Sequence, residues 1–218
     1  YYGEDLPINT WYMKRFAGLS EDGLSLWYYT DKETNEEKTT TTYSTGDFYL
    51  CGDPNPDLYG GFGTSITFHG FDLSTQFSYL VGGLTYDYGY AGMMGNPTAT
   101  SVGNRWHKDV LKAWSPENPS STIPRWHFND LNTTGSSDRF LIDGSYLNLQ
   151  NIQVGYTLPD SWTSHLKIKN LRLYFVCDNV YYWSKRKGLD PRRSISGVGT
   201  SGKIAPFRTY SGGISLQF

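Results

Sequence analysis

Between Phe62 and Val81 apolar and polar positions alternate almost without interruption. Phe62, Thr64, Ile66 and Phe68 share one parity, and Gly63, Ser65, Thr67 and His69 the other. After Gly70, Phe71, Leu73, Thr75, Phe77, Tyr79 and Val81 alternate with Asp72, Ser74, Gln76 and Ser78. Period-two patterning predicts two strands with one dry face each, and the short gap makes them a hairpin. The chain closes on a similar strand, in which Tyr210, Ile214, Leu216 and Phe218 share a face and Gly213, Ser215 and Gln217 take the other. Further strands are expected over Leu6–Gly18, Ser145–Leu158 and Leu171–Trp183. In the second of these the apolar parity runs Leu147, Leu149 and then Ile152, Val154, Tyr156. That one-residue slip predicts a bulge near Gln150-Asn151, because a bulge alone lets a strand change parity and keep its faces.

The segments between these strands alternate in size. The gaps at 69–70 and 159–170 are short, whereas those at 19–59, 82–138 and 184–206 are long, polar and rich in turn residues. A short hairpin is expected around Leu24–Tyr29. A helix-like piece is expected over Asn104–Trp114, with Asn104 as its cap. Short turns on one side and long loops on the other are the asymmetry of outer-membrane barrels. The expected fold is therefore all-β: a partial transmembrane antiparallel β-barrel of about six strands, with long extracellular loops and short periplasmic turns. On that reading Phe62, Ile66, Phe68, Phe71, Leu73, Phe77 and Tyr79 face lipid, and the small polar positions line a wet bore.

Composition agrees with this picture. Of 218 residues, 17% are aromatic, with 18 Tyr and 24 Gly, and only 18% are charged. Tyr and Trp suit interfaces that are apolar at one end and wet at the other. The formal net charge of −2 gives no electrostatic case for nucleic acid. No apolar run is long enough for a membrane helix, which says nothing against strands. Cys51 and Cys177 lie far apart and read as two small, semi-buried thiols. The first residues, Tyr1-Tyr-Gly-Glu-Asp-Leu-Pro7, lack a basic region followed by an apolar run, so the chain is expected to start after processing or within a longer protein.

A series of short motifs then narrows the class. Leu6-Pro-Ile-Asn-Thr-Trp-Tyr12, Phe16-Ala-Gly-Leu19, Gly52-Asp-Pro-Asn-Pro56, Gly60-Gly-Phe62 and Gly70-Phe-Asp-Leu73 are followed by Asn104-Arg-Trp106 and Trp114-Ser-Pro-Glu-Asn-Pro119. Ile123-Pro124, Phe140-Leu-Ile-Asp-Gly-Ser-Tyr-Leu147, Asn151-Ile152, Gly155-Tyr-Thr-Leu-Pro159, Leu171-Arg-Leu-Tyr174, Asp178-Asn179 and Gly188-Leu-Asp-Pro191 complete the series. In this order the motifs resemble the C-terminal barrel segment of SusC/RagA-type TonB-dependent outer-membrane transporters, over essentially all of residues 1–218. The resemblance implies barrels of about 22 strands with a plugged lumen. Six strands cannot close such a lumen, and an open edge in lipid costs several kcal/mol per unpaired group. The plug and the other strands of the same transporter are thus expected elsewhere.

The resemblance further implies energised import of an oligosaccharide, or alternatively an oligopeptide, across the outer membrane of a Gram-negative bacterium. The implied partners are a SusD-like surface lipoprotein lid, the TonB complex acting through the absent plug, and outer-membrane lipid and lipopolysaccharide. No cofactor or metal is expected. His69, His107, His127 and His165 form no ligand motif, and no nucleophile–base pair stands at catalytic spacing. Tyr86, Tyr88, Tyr90 and Trp126, in the 82–138 loop, are the candidate substrate contacts, since a flat ring can stack on an apolar sugar face. Trp106 and Trp114 lie inside the recurring motifs and are expected to hold the loop's own fold. Tyr210, Ile214, Leu216 and Phe218 are expected to serve both as lipid-facing surface and as the signal read by the barrel-insertion machinery. The cluster Lys185-Arg-Lys187 with Arg192-Arg193 is expected to be a solvated loop partly neutralised by Asp190. A competing class, a soluble all-β glycan-binding module, predicts instead that Phe62, Ile66, Phe71, Leu73 and Phe77 are buried against a second sheet.

Overall fold

The computed structural model of the chain describes residues 1–99, 105–133, 135–163, 168–186, 188–193 (without the Arg193 side chain), 196–198 and 206–218. In chain order the strands are β1 (Tyr12–Lys14), β2 (Phe16–Leu19), β3 (Ser25–Thr30), β4 (Glu37–Thr40), β5 (Phe48–Leu50), β6 (Leu58–Phe68) and β7 (Phe71–Val81). There follow β8 (Leu84–Tyr86), helix α1 (Tyr88–Met93), β9 (Leu141–Asp143), β10 (Tyr146–Thr157), a helical turn α2 (Asp160–Thr163), β11 (Asn170–Ser184) and β12 (Thr209–Gln217). The chain divides into two compact units. The first comprises Tyr1–Asn55, Gly83–Asp143 and Pro191–Lys203, and the second Pro56–Gly82, Gly144–Asp190 and Ile204–Phe218.

The second unit is one antiparallel sheet in the order β12-β11-β10-β7-β6. The β6–β7 hairpin turns on His69 and Gly70, both at positive φ (48° and 84°), as a two-residue turn matched to the strand twist requires. The expected slip in β10 is present: the register shifts between Leu149 and Asn151 against both neighbours. Leu149 faces Phe77 while Asn151 faces Gln76, so Gln150 is the extra residue against β7. Against β11 the same step spans Tyr181 to Asp178, placing Asn179 (φ 52°) in a second, adjoining bulge.

These two bulges keep the faces of the five strands in step, one mainly apolar and the other mainly polar. The register joins Phe62 to Phe77, Ile66 to Leu73, Leu73 to Val154, Val154 to Phe175, and Leu173 to Ile214 on one face. Thr67, Asp72, Ser74, Ser78, Asn148, Asn151, Gln153, Arg172, Asp178, Ser211 and Ser215 occupy the other. Among the described residues no second sheet covers the apolar face: Phe62, Ile66, Phe68 and Phe71 are all more than half exposed. The expectation of a soluble sandwich with these residues in its core therefore fails.

The first unit is built from short pieces around its own core of Met13, Tyr86, Met94 and Phe140. Here the sequence reading needs three corrections. Leu6–Gly18 is not one wall strand: Asn9 adopts positive φ, Thr10 N–H bonds back to Pro7 O, and strand pairing is confined to β1 and β2. The large sheet thus has five strands, against the about six expected. The long 82–138 connection also carries regular structure that was not expected, since β8 pairs with β9 and α1 follows directly. Within 104–114 only a 3-10 turn at Lys108–Lys112 forms, capped by the His107 ring, which accepts from Asp109 N–H at 3.2 Å; Asn104 lies outside the described residues. The expected hairpin near Leu24–Tyr29 is present as β3 paired with β4.

Lys14 organises one loop of this unit. Its buried ammonium donates to the carbonyls of Tyr43 (2.5 Å), Ser44 (3.2 Å) and Gly46 (2.7 Å) and lies over the Tyr43 and Phe48 rings. Three carbonyls converging on one cation satisfy a tight loop that has no strand partner of its own.

Candidate functional site

The polar face of the second unit carries a connected set of side chains. Arg172 on β11 reaches across β10 to Asp72 on β7, with Nε–H to Oδ1 at 2.9 Å and Nη2–H to Oδ2 at 2.5 Å. The strand between them must be bare, and it carries Gly155 there; a Cβ on Gly155 would lie 2.4 Å from Asp72 Oδ1 and 2.5 Å from Arg172 Nη2. Arg172 also lies over the Tyr174 ring, at 5.3 Å from its centroid, and that ring occupies the space above Gly213 on β12. A row of side chains thus links four strands over two glycines. Toward the bulges Asn151 donates to Asp178 (2.7 Å), and Asn148 and Gln150 both donate to Ser78 Oγ (3.3 and 3.0 Å). Such a surface offers hydrogen bonds and balanced charge to water or a polar solute.

Sequence reasoning missed the Asp72–Arg172 link, although its parts stand in three of the quoted motifs: Gly70-Phe-Asp-Leu73, Gly155-Tyr-Thr-Leu-Pro159 and Leu171-Arg-Leu-Tyr174. A charged residue or a glycine interrupting an otherwise plain strand motif was the available signal.

The apolar face is ringed by aromatics at both ends. Phe68, Phe71 and Tyr156 gather at the short-turn end, with Phe71 and Tyr156 centroids 4.4 Å apart. Tyr79, Tyr181 and Trp183 gather at the long-loop end. Phe62 stacks on Phe77 (4.8 Å) and Phe175 on Tyr210 (6.0 Å). All seven residues expected to face lipid share this face, as do Tyr210, Ile214 and Leu216; Phe218 follows β12 and is 73% exposed.

The candidate substrate aromatics are distributed less simply in the first unit. Tyr86 is only 2% exposed and belongs to the core, between Trp11, Tyr88 and Phe140, so it is no surface contact. It ends β8, where it and the adjacent Thr85 are both buried, and burial raises its phenol pKa. Tyr88 is exposed and lines a cleft of about 330 Å3 with Asn9, Trp11, Tyr12 and Val198. Tyr90 is half-buried and spends its hydroxyl on Asp109 (3.1 Å), with its ring against His107. Burial works against the Asp109 carboxylate, but hydrogen bonds from Lys112 and Tyr90 outweigh it and hold its pKa below the ordinary range.

Trp126 is exposed and meets Trp106 edge-on at 5.5 Å, and both indoles donate to the Gly95 carbonyl (3.3 and 3.1 Å). Trp114, as expected, holds loop structure: it packs where a side chain on Gly23 would otherwise stand. Arg139, between the Phe16 and Phe140 rings, is brought down to about 10 by burial and stays charged at neutral pH.

His69 forms the hairpin turn, His107 caps the 3-10 turn, His127 Nδ1 lies 3.0 Å from the Phe128 carbonyl, and His165 and Lys187 lie outside the described residues. Among the described residues no three His, Cys, Asp or Glu side chains are arranged to hold a metal ion. Cys51 and Cys177 are free thiols, half-buried and buried respectively.

An antiparallel sheet with one apolar face, one polar face and aromatics at both rims is a section of transmembrane β-barrel wall. Known proteins agree in both sequence and fold. The chain is 29% identical over 228 aligned residues to TonB-dependent receptor P3 of Formosa agariphila, matching all of this chain and 21% of that protein. It is 27% identical over 182 residues to TonB-dependent receptor SusC of Bacteroides thetaiotaomicron, matching 81% of this chain and 17% of SusC. It superposes on the RagAB peptide importer in its closed-closed state with a TM-score of 0.78 at 25% identity, over 100% of this chain and 25% of that one. No protein-family model matches. The chain spans a quarter or less of the length of each of these three proteins. Together they show that the chain is similar, in sequence and fold, to a barrel segment of SusC/RagA-type TonB-dependent transporters.

Proposed function

We propose that residues 1–218 form the C-terminal part of the barrel of an outer-membrane nutrient importer in a Gram-negative bacterium. The whole transporter takes up oligosaccharides, is capped by a SusD-like lipoprotein and is energised by TonB through its plug. The observation that carries this reading is the two-faced five-stranded sheet. Eleven residues of β7 span about 33 Å, which at a strand tilt near 40° is about 25 Å of height, the apolar thickness that a barrel presents to lipid. The apolar face then meets lipid, and the face with Asp72, Arg172 and Asn151 lines the bore.

In this reading substrate meets the long loops, and Tyr88, Tyr90 and Trp126 remain the contacts, with Tyr88 and Trp126 the more accessible. Substituting Tyr88 and Trp126 by Ala in the full transporter is expected to lower uptake of labelled oligosaccharide about fivefold per ring, since an aromatic contact contributes on the order of 1 kcal/mol. Unchanged uptake at normal surface expression would reject the contact role, and uptake that survives loss of TonB would reject energised import. A second reading, oligopeptide import, is favoured by the TM-score of 0.78 to a peptide importer. Competition by unlabelled peptide mixtures but not by oligosaccharides would select it.

A further inference from the structure

The two adjoining bulges open a groove on the apolar face where β10, β11 and β12 meet. It is an open depression of about 500 Å3, with Ile152, Val154, Phe175, Tyr181 and Tyr210 as walls and Cys177 among the lining residues. That size falls within the range of about 300–1,000 Å3 typical of sites for small ligands. Two features keep it open. β12 begins opposite Asp178, so β11 runs on past its neighbour from Asn179 to Ser184. Gly212, opposite Phe175, has free space above it: a Cβ there would find only Tyr174 O, at 3.9 Å.

Arg208 lies at this groove. It immediately precedes β12 and lines the groove together with Tyr210, whose phenol its guanidinium meets by a side-chain hydrogen bond. None of the paired positions of the apolar face in β6, β7, β10, β11 or β12 carries a carboxylate. A guanidinium on an apolar surface is costly unless an anion or headgroup water meets it, and its planar fork suits a phosphate. Arg208 stands at the end of β12 that joins the long connection from β11, the extracellular side of the wall.

We propose that this groove binds a phosphorylated glycolipid of the outer leaflet. One acyl chain lies against Ile152, Val154 and Phe175, and Arg208 donates to the lipid phosphate. The proposal rests on the reading that the apolar face meets lipid.

The test uses the full-length transporter in nanodiscs of phosphatidylethanolamine doped with bis-phosphorylated lipid A, with retained lipid counted by native mass spectrometry. Wild type is expected to keep one lipid A per barrel. Arg208→Gln should reduce retention at least fivefold, and Gly212→Leu, which fills the groove without a backbone clash, should do the same. Dephosphorylated lipid A should bind wild type as weakly as phosphorylated lipid A binds Arg208→Gln. Equal retention by wild type and both variants overturns the site, as does equal retention of phosphatidylglycerol in place of lipid A. Recovery of the protein from the soluble rather than the outer-membrane fraction overturns the wall reading and the site with it; outer-membrane protein with equal retention overturns the site alone.

Discussion

Replacing Gly155 with alanine puts a methyl group where the Asp72–Arg172 pair now lies. The new Cβ would stand 2.4 Å from Asp72 Oδ1, 2.7 Å from Oδ2 and 2.5 Å from Arg172 Nη2. Separations below 3.0 Å are not tolerated between such atoms, so something must move. Both neighbours are ends of side chains, and the pair opens before the backbone shifts. Its two charge-assisted hydrogen bonds would be worth about 1.5–3 kcal/mol if sheltered. The side chains keep 22–27% of their surface in contact with water, which discounts the figure to about 1–2 kcal/mol. Alanine in a strand recovers about 0.5–1 kcal/mol of backbone entropy relative to glycine. The net expectation for Gly155→Ala is a loss of about 1 kcal/mol.

The deciding measurement is a double-mutant cycle on the full transporter in detergent, unfolded with guanidinium and followed by tryptophan fluorescence. In an Asp72→Asn/Arg172→Gln background the same alanine should be neutral or stabilising, because there is no ion pair left to displace. If Gly155→Ala costs the same in both backgrounds, the glycine does not exist to let the pair cross the strand, and the reasoning is wrong.

Two further expectations concern the loop-rich unit. Lys14→Met keeps the volume but removes the donor shared by three carbonyls, and should weaken the 43–46 loop by about 2 kcal/mol. Hydrogen exchange at the Asp47 amide, which bonds Tyr28 O at 2.9 Å, should then accelerate roughly 30-fold; an unchanged rate would remove Lys14 from its organising role. Asp138 accepts from Phe16 N–H at 2.8 Å, yet burial raises its carboxyl pKa above the ordinary value. The folded state therefore holds a proton that the unfolded chain releases near pH 4, so stability should fall as pH rises from there through the raised pKa. Asp138→Asn should flatten that slope when exchange around Phe16 is followed between about pH 4 and 7, and an identical slope in the variant would refute the assignment.

Much of the wall was readable along the chain because parity in a strand is a local property. Phe62 to Val81 announced a hairpin, and the phase change between Leu149 and Ile152 announced a bulge. Both followed from the rule that successive side chains point to opposite faces. The motifs were local too, and they sufficed to indicate the transporter class that the comparisons support. Composition, however, could not tell a surface tyrosine from a core one. Tyr86 and Tyr88 are neighbours of one type, and only the packing of Met13 and Phe140 makes Tyr86 the buried member. The same limit explains Leu6–Gly18, whose alternation suited a long strand until the turn at Asn9 interrupted it.

What the amino-acid order determined by itself was the periodicity, hence two-faced strands, short turns on one side and long connections on the other. What only the tertiary structure decided was which distant positions meet. Asp72 and Arg172 are a hundred residues apart, and their pairing depends on the registers of three strands and on a bare position at Gly155 between them. The groove beside Arg208 likewise arises from two bulges that adjoin only once β10 and β11 are aligned. Periodicity is a property of single residues in sequence, whereas register sums the choices of every turn and bulge along the way, so contacts across strands emerge only when the whole sheet is assembled.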